Sequence, residues 1–493
     1  MQTDPAAADG SETGKQAVYI NTFGCRLNQY ESDGIVQSFV ESGRYRQTGQ
    51  ITDAAVLIVN SCTVTSQADQ KCLQFIRRAR RDNPALHVVV TGCFAQTDRA
   101  VLSTNPAIDL VCGNDQKSDL LDRYEQWLAL QNRRAHNLAS AARQTSPFAY
   151  GVVKPQGHTR AYLKIQDGCD RRCSYCKIPM ARGRGSSRAA TDILEHVKAL
   201  EDAGVPEIVL TGVNLGWYRE LQPDKSRLRF IGLLEKILES MQFSRLRLSS
   251  IEPSDVGRGL AELSQHPRFC NYLHVPLQSG ARNVLKAMRR SYDPTSFARR
   301  IETVRQYNPG VFIGTDVMVG FPAESEAEFQ ESMSFCKSMQ FAGLHLFPYS
   351  RRAGTEAARR TEQWSRQTIK ERMQQFGVLR RELQVAYQHR CLGRTFPCVL
   401  EQWEPAARPD ASIPESGQGP IHRKSAEWAE LLSDNYLRIR VPANQLIDRR
   451  RDHVHAVQAL ELAEERFVWG QMADPGTLAG RITGSEWSQG TVQ

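Results

Sequence analysis

Three stretches near the amino end repeat one pattern: a short apolar run, one or two polar residues, then a cysteine. They are Tyr19-Ile20-Asn21-Thr22-Phe23-Gly24-Cys25, Val56-Leu57-Ile58-Val59-Asn60-Ser61-Cys62 and Val88-Val89-Val90-Thr91-Gly92-Cys93. Between them the apolar period lengthens to that of a helix, as over 67–80, where Cys72, Phe75, Ile76 and Ala79 fall on one face. Strand–helix alternation at this spacing predicts a parallel sheet whose strand ends converge on one edge. Cys25, Cys62 and Cys93 are therefore expected to meet, while Cys72 reads as core and Cys112 leans toward a structural role.

The alternation resumes further on for more than two hundred residues. Apolar runs at 162–165, 207–211, 245–249, 272–275, 312–318 and 343–347 read as strands. Amphipathic helices separate them. One covers 189–203, with Ile193, Leu194, Val197 and Leu200 as its stripe and Gly204 as its stop; another covers 326–339, with Phe329, Met333 and Cys336 inward. Six such units predict a full or partial (β/α) barrel with its site at the carboxyl ends of the strands. After about residue 385 the period drops to two, at 395–401 and 436–441, around a Pro/Ser/Gly-rich stretch 404–420. A small β-barrel follows. The fold class is α/β: a parallel-sheet domain (17–129), a partial (β/α)6 barrel (159–385) and a small β-barrel (388–470). A disordered leader (1–16), a linker (130–158) and a tail (471–493) complete the division.

Composition adds bounds rather than identity. At 493 residues, with 63 Lys+Arg against 54 Asp+Glu, the chain carries +9, which is compatible with a nucleic-acid partner without establishing one. Twelve cysteines in so long a chain do not make a disulfide scaffold, and their clustering favours metal ligation in a reducing compartment. No basic-then-apolar leader and no apolar run near the ~18 residues of a membrane span is present. A cytoplasmic protein with no membrane partner is expected.

The sharpest chemistry lies just after the first barrel strand, in Cys169-x3-Cys173-x2-Cys176. Three thiolates leave one metal position free for something other than protein, as in an iron–sulfur cluster with an open iron. A zinc site with a distant fourth ligand, or buried free cysteines, is the plainer alternative.

These segments resemble the radical-SAM methylthiotransferases, and most of all the tRNA branch acting on threonylcarbamoyladenosine beside the anticodon. The resemblance rests on Asn21 to Ser32, Asn60 to Thr65, Thr91-Gly92-Cys93, Gly168 to Cys176, Ile178-Pro179 with Arg182-Gly183-Arg184, and Leu210 to Gly216. It continues through Leu248 to Pro253, Pro276 to Gly280, Gly314 to Pro322 and Phe347 to Ser350. It implies that Cys169, Cys173 and Cys176 hold a [4Fe-4S] cluster whose open iron chelates S-adenosylmethionine. It also implies that Cys25, Cys62 and Cys93 hold a second [4Fe-4S] cluster taking part in sulfur delivery. Thr211, Gly212, Glu252 and Gln278, at strand ends, would contact cofactor or substrate, and Asp316 would line the barrel mouth. The β-barrel would be a TRAM domain gripping RNA, with Arg438, Arg440 and Arg449 on phosphates. The implied reaction converts N6-threonylcarbamoyladenosine-37 of a tRNA anticodon loop to its 2-methylthio form. It uses two molecules of S-adenosylmethionine, an electron donor of flavodoxin or ferredoxin type and a sulfur source.

Some positions depart from the family wording: Ser61 before Cys62, the run Gly183 to Arg188, Ala323 and Ser325 where Gly and Thr are usual, and the long 404–428 segment. Rival readings are the isopentenyladenosine branch, the branch modifying a ribosomal-protein aspartate, and a non-catalytic RNA-binding protein with structural zinc. Arg171, Arg172 and Lys177 are candidates for tuning a cluster or for touching RNA.

Overall fold

A computed structural model describes residues 14–131, 146–403, 428–442, 454–462 and 468–472. Most of the leader, part of the linker, the 404–427 stretch, Arg449 and the tail beyond Met472 lie outside the described residues.

The amino-terminal unit is a parallel sheet of β1 (Gln16–Thr22), β2 (Tyr45–Gln47), β3 (Val56–Ser61), β4 (His87–Gly92) and β5 (Leu110–Val111), in the order β2-β1-β3-β4-β5. Its central strands run unbroken apolar through Val56–Val59 and Val88–Val90 because both faces are covered there. Leu57, Val59, Val88 and Val90 pack on one side with Cys72 and Ile76 of the helix Ser66–Asp82. Val56, Ile58 and Val89 pack on the other with Ile35 and Phe39 of α1 (Arg26–Glu41). The two edge strands are too short for their patterns to stand out in the sequence.

The central unit holds six parallel strands in sequence order: β6 (Arg160–Lys164), β7 (Glu207–Thr211), β8 (Arg245–Leu248), β9 (Tyr272–His274), β10 (Phe312–Val319) and β11 (Gly343–Pro348). β6-β7-β8 and β9-β10-β11 form two ladders, joined by the single bridges Leu246–Phe269 and Ser250–His274. This is a partial barrel around one large apolar core, with Ile193, Val197 and Leu200 of the helix Ala190–Asp202 and Phe329 and Cys336 of the helix Glu326–Ser338 facing inward. Ser325 caps the latter helix, with Glu328 returning the bond to its backbone, so serine serves this position as threonine would.

The carboxyl-terminal unit is a small, mainly antiparallel sheet of β12 (Thr395–Trp403), β13 (Trp428–Ser433), β14 (Arg438–Pro442), β15 (Val454–Leu462) and β16 (Val468–Met472). The ladder runs β12-β13-β14-β16-β15 and β15 pairs back with β12. Its seat on the barrel is polar. Arg245 and Arg247, alternating with leucines on β8, turn toward Glu207 of β7 at 2.6 and 2.7 Å, and donate onward to the carbonyls of Pro397, Leu432, Ser433 and Asp434. Burial alone would raise the Glu207 carboxyl, but Arg245 and Arg247 hold it far below the ordinary carboxylate range. The alternation on β8 would suit a solvent face; long-range docking buries it instead. Among the described residues no helix is long and apolar enough to cross a membrane.

Candidate active site

Each cysteine-bearing loop leaves the carboxyl end of a parallel strand, and the local sequence fixes how. Gly92, between β4 and Cys93, has φ +100°, and a Cβ there would lie 2.3 Å from the Ser61 carbonyl oxygen. Gly168, before Cys169, has φ +72°, and its Cβ would lie 2.0 Å from the Arg184 carbonyl oxygen. Asn28 Nδ2 donates to the carbonyls of Phe23 and Ser61, and Asn60 Nδ2 donates to that of Asn28. These amides tie the loop after β1 to the loop after β3.

The result is two cysteine trios on two cavities. One cavity, of about 490 Å³, is lined by Cys169, Cys173 and Cys176 with Asn214, Glu252 and Gln278. The other, of about 560 Å³, is lined by Cys25, Cys62 and Cys93 with Thr211, Gly212 and Arg26. Val64, Ile178, Val213, Glu252, Pro276 and Asp316 line both, so the two spaces share a wall. Cys72 and Cys112 stand apart in the two cores of the amino-terminal unit. Burial pushes the Cys62 and Cys176 thiols up to about 12. They are protonated until something positive displaces the proton, as metal binding does.

The first cavity carries polar atoms with nothing to bond. Both amide atoms of Asn214, Gln278 Oε1, Arg171 Nε and Tyr349 Oη are buried without a hydrogen-bond partner among the described residues. Such groups are costly unless a ligand satisfies them. Three thiols beside unsatisfied donors and acceptors fit an iron–sulfur cluster with a polar amino-acid ligand on its open iron. Thr211 and Gly212 lie on the second cavity, Gln278 on the first, and Glu252 on both.

Arg290 is a residue the sequence reading missed. Its Nη1 donates to Cys173 Sγ at 3.3 Å, and its Nη2 meets Glu252 at 2.6 Å. It follows a short helix, Arg282–Ala287, in an Arg-Arg-Ser-Tyr stretch with no periodicity to single it out. Arg171 bonds Ser254 and Ser291 and lies 3.8 Å from Glu252 on the first cavity, and Lys177 pairs with Asp98 at 2.8 Å. Asp316 faces the barrel mouth beside His274 Nε2, at 2.9 Å, and His345 Nδ1, at 3.5 Å. Arg438 pairs with Glu401 and Glu430, and Arg440 lies 3.9 Å from Glu430.

A buried ion network joins the two units that carry the trios. Glu31 of α1 binds Lys117 at 2.6 Å, Lys164 at 2.7 Å and Arg182 at 2.9 Å; Asp167 binds Lys164 and Arg182 from the other side. Burial would raise the Glu31 carboxyl, but Arg182, Lys117 and Lys164 keep it well below the ordinary range.

A partial barrel of six parallel strands with three cysteines in the loop after the first strand defines a radical-SAM enzyme. The family model "Radical SAM superfamily" matches residues 163–336, and "Uncharacterized protein family UPF0004" matches residues 17–113. The threonylcarbamoyladenosine tRNA methylthiotransferase of Bacillus subtilis is 38% identical over 372 residues, 75% of this chain and 81% of that protein. The tRNA-2-methylthio-N(6)-dimethylallyladenosine synthase of Mycolicibacterium smegmatis is 33% identical, over 80% of this chain and 77% of that protein. A solved radical S-adenosylmethionine methyltransferase, TsrM from Kitasatospora setae, shares the fold at 14% identity and a TM-score of 0.50, over 94% of this chain and 87% of that one. The chain belongs to the radical-SAM methylthiotransferase family. Membership implies an S-adenosylmethionine-binding, cysteine-ligated iron–sulfur cluster.

Proposed function

We propose that the protein is the tRNA methylthiotransferase that converts N6-threonylcarbamoyladenosine-37 to its 2-methylthio form. The observation that carries this reading is the shared wall: two cysteine trios open onto adjoining cavities with Val64, Ile178 and Val213 between them. A radical generated at one trio and a sulfur atom held at the other would meet across that wall.

In this reading Cys169, Cys173 and Cys176 hold one [4Fe-4S] cluster, and Cys25, Cys62 and Cys93 a second. When bound, the first supplies the electron that reductive cleavage of S-adenosylmethionine needs. The chain positions the reactants and keeps water and stray hydrogen donors away. Asn214 and Gln278 offer their unsatisfied amide atoms to the methionine part of the cofactor. Arg290 holds Glu252 at the boundary of the two cavities. Thr211 and Gly212 wall the substrate side. The five carboxyl-terminal strands are read as a TRAM domain, with Arg438, Arg440 and Arg449 toward RNA phosphates. A flavodoxin- or ferredoxin-type reductant, a sulfur source and a cytoplasmic setting complete the proposal, with the domain limits as given from the sequence.

The 33% identity to a dimethylallyladenosine synthase favours the isopentenyl branch as the second reading. Deleting the gene and analysing tRNA nucleosides by mass spectrometry separates them. Loss of the methylthio form of threonylcarbamoyladenosine, with isopentenyl-type modification intact, is the expected result, and the reverse would reject the first reading. Anaerobic reconstitution should yield about eight irons and eight sulfides per chain. RNA affinity should fall with salt, and neutralising Arg438, Arg440 and Arg449 together should abolish it.

A further inference from the structure

Arg26 stands out beside Arg182, the other arginine on the second cavity, and beside the arginines buried elsewhere in the two units. Arg160, Arg182, Arg188, Arg245, Arg247 and Arg290 each reach a carboxylate of the protein. Arg26 reaches none among the described residues. Its partner is the Tyr436 hydroxyl, 3.3 Å from Nη2, and its other charged or titratable neighbours are the phenols of Tyr272 and Tyr162 and the guanidinium of Arg160. A half-buried cation among neutral rings, with a second cation nearby, is open to an anion from outside the chain.

The surroundings say where that anion sits. Arg26 follows Cys25 directly and lines the 560 Å³ cavity, whose wall includes Tyr272 and Tyr436, stacked at 4.6 Å with 28° between their planes. The acids on the same wall are engaged, Glu252 by Arg290 and Asp316 by His274. They do not compete for the guanidinium. α1 also begins at Arg26 without a side-chain cap, so its positive end adds to the field there.

We infer that Arg26 is the specificity-determining contact for the carboxylate on the N6 substituent of the substrate adenosine. This rests on the function proposed above. A threonylcarbamoyl group carries a carboxylate for a guanidinium to take in a bidentate pair. A prenyl group offers only hydrocarbon and leaves Arg26 unpaired, which disfavours it. An RNA phosphate is the other source of negative charge, and the test separates the two.

The reconstituted full-length enzyme is given anticodon stem-loop RNAs bearing threonylcarbamoyladenosine, its neutral methyl ester, or isopentenyladenosine. Binding is read by fluorescence anisotropy, and kcat/KM by product formation. The wild type is expected to favour acid over ester. Arg26→Gln should weaken the acid RNA by about 10- to 100-fold, leave the ester RNA nearly unchanged, and erase the preference, while Arg26→Lys keeps part of it. Equal weakening of both RNAs would assign Arg26 to a phosphate and overturn the inference. So would a wild type indifferent to esterification, a result that needs no variant to fold. A wild type that modifies only the isopentenyl RNA would instead reject the function on which the inference rests.

Discussion

At the residue scale, two positions carry conformational or electrostatic cost that substitution can relieve. Ala323 adopts φ +65°, a left-handed conformation that disfavours any residue with a Cβ. The glycine that the family resemblance leads one to expect at this place has no such penalty. Ala323→Gly should stabilise the fold by about 0.5–1 kcal/mol in chemical denaturation, the gain from relief of strain less glycine's greater entropy. Asp33, buried in α1 with only the Gln29 amide donating to it at 2.9 Å, has its carboxyl pushed up to about 7 by burial. The folded protein thus holds a proton there that the unfolded chain releases near pH 4. Its contribution to stability is greatest at low pH and declines as pH rises from about 4 to 7. Asp33→Asn should raise stability by about 2–4 kcal/mol at pH 8 and change it little at pH 4, read from thermal unfolding at both values. Equal shifts at the two pH values would show that ionisation is not the cause.

At the scale of elements, the glycine before a cysteine of either trio decides whether a strand end can turn into the cavity wall. On the two-cluster reading proposed above, Gly168→Ala should leave the secondary structure intact and lower bound iron from about eight to about four per chain, because only the loop of Cys169 is displaced. Gly92→Ala should remove the other four, since the added methyl meets the Ser61 carbonyl beside Cys62. Iron and sulfide analysis with circular dichroism checks both. The strands and both trios were legible in the sequence because apolar period and strand-end position are local properties. Arg290, Arg26 and the buried arginines of β8 were not. Their roles depend on partners far along the chain: Cys173, Tyr436 and the carbonyls of the carboxyl-terminal strands. Asp316 was legible as a charge in an apolar strand, but its partners His274 and His345 required the register of three strands.

At the scale of the whole molecule, the relation between the two trios is held by charge. Glu31→Gln leaves Lys117, Lys164 and Arg182 buried with only Asp167 to answer them, and should cost about 3–5 kcal/mol. The loss should appear in thermal unfolding and as poor iron recovery on reconstitution. A change under about 1 kcal/mol would mean that water or neighbouring groups already satisfy the cations. The same network sets the unit of exchange for anyone building hybrids of this enzyme with its relatives. Glu31 and Lys117 lie in the amino-terminal unit and Lys164, Asp167 and Arg182 in the barrel. A transplanted amino-terminal unit carries half of a five-charge lock, so its host barrel must bring the matching half. Parts of this enzyme trade across that seam as matched pairs.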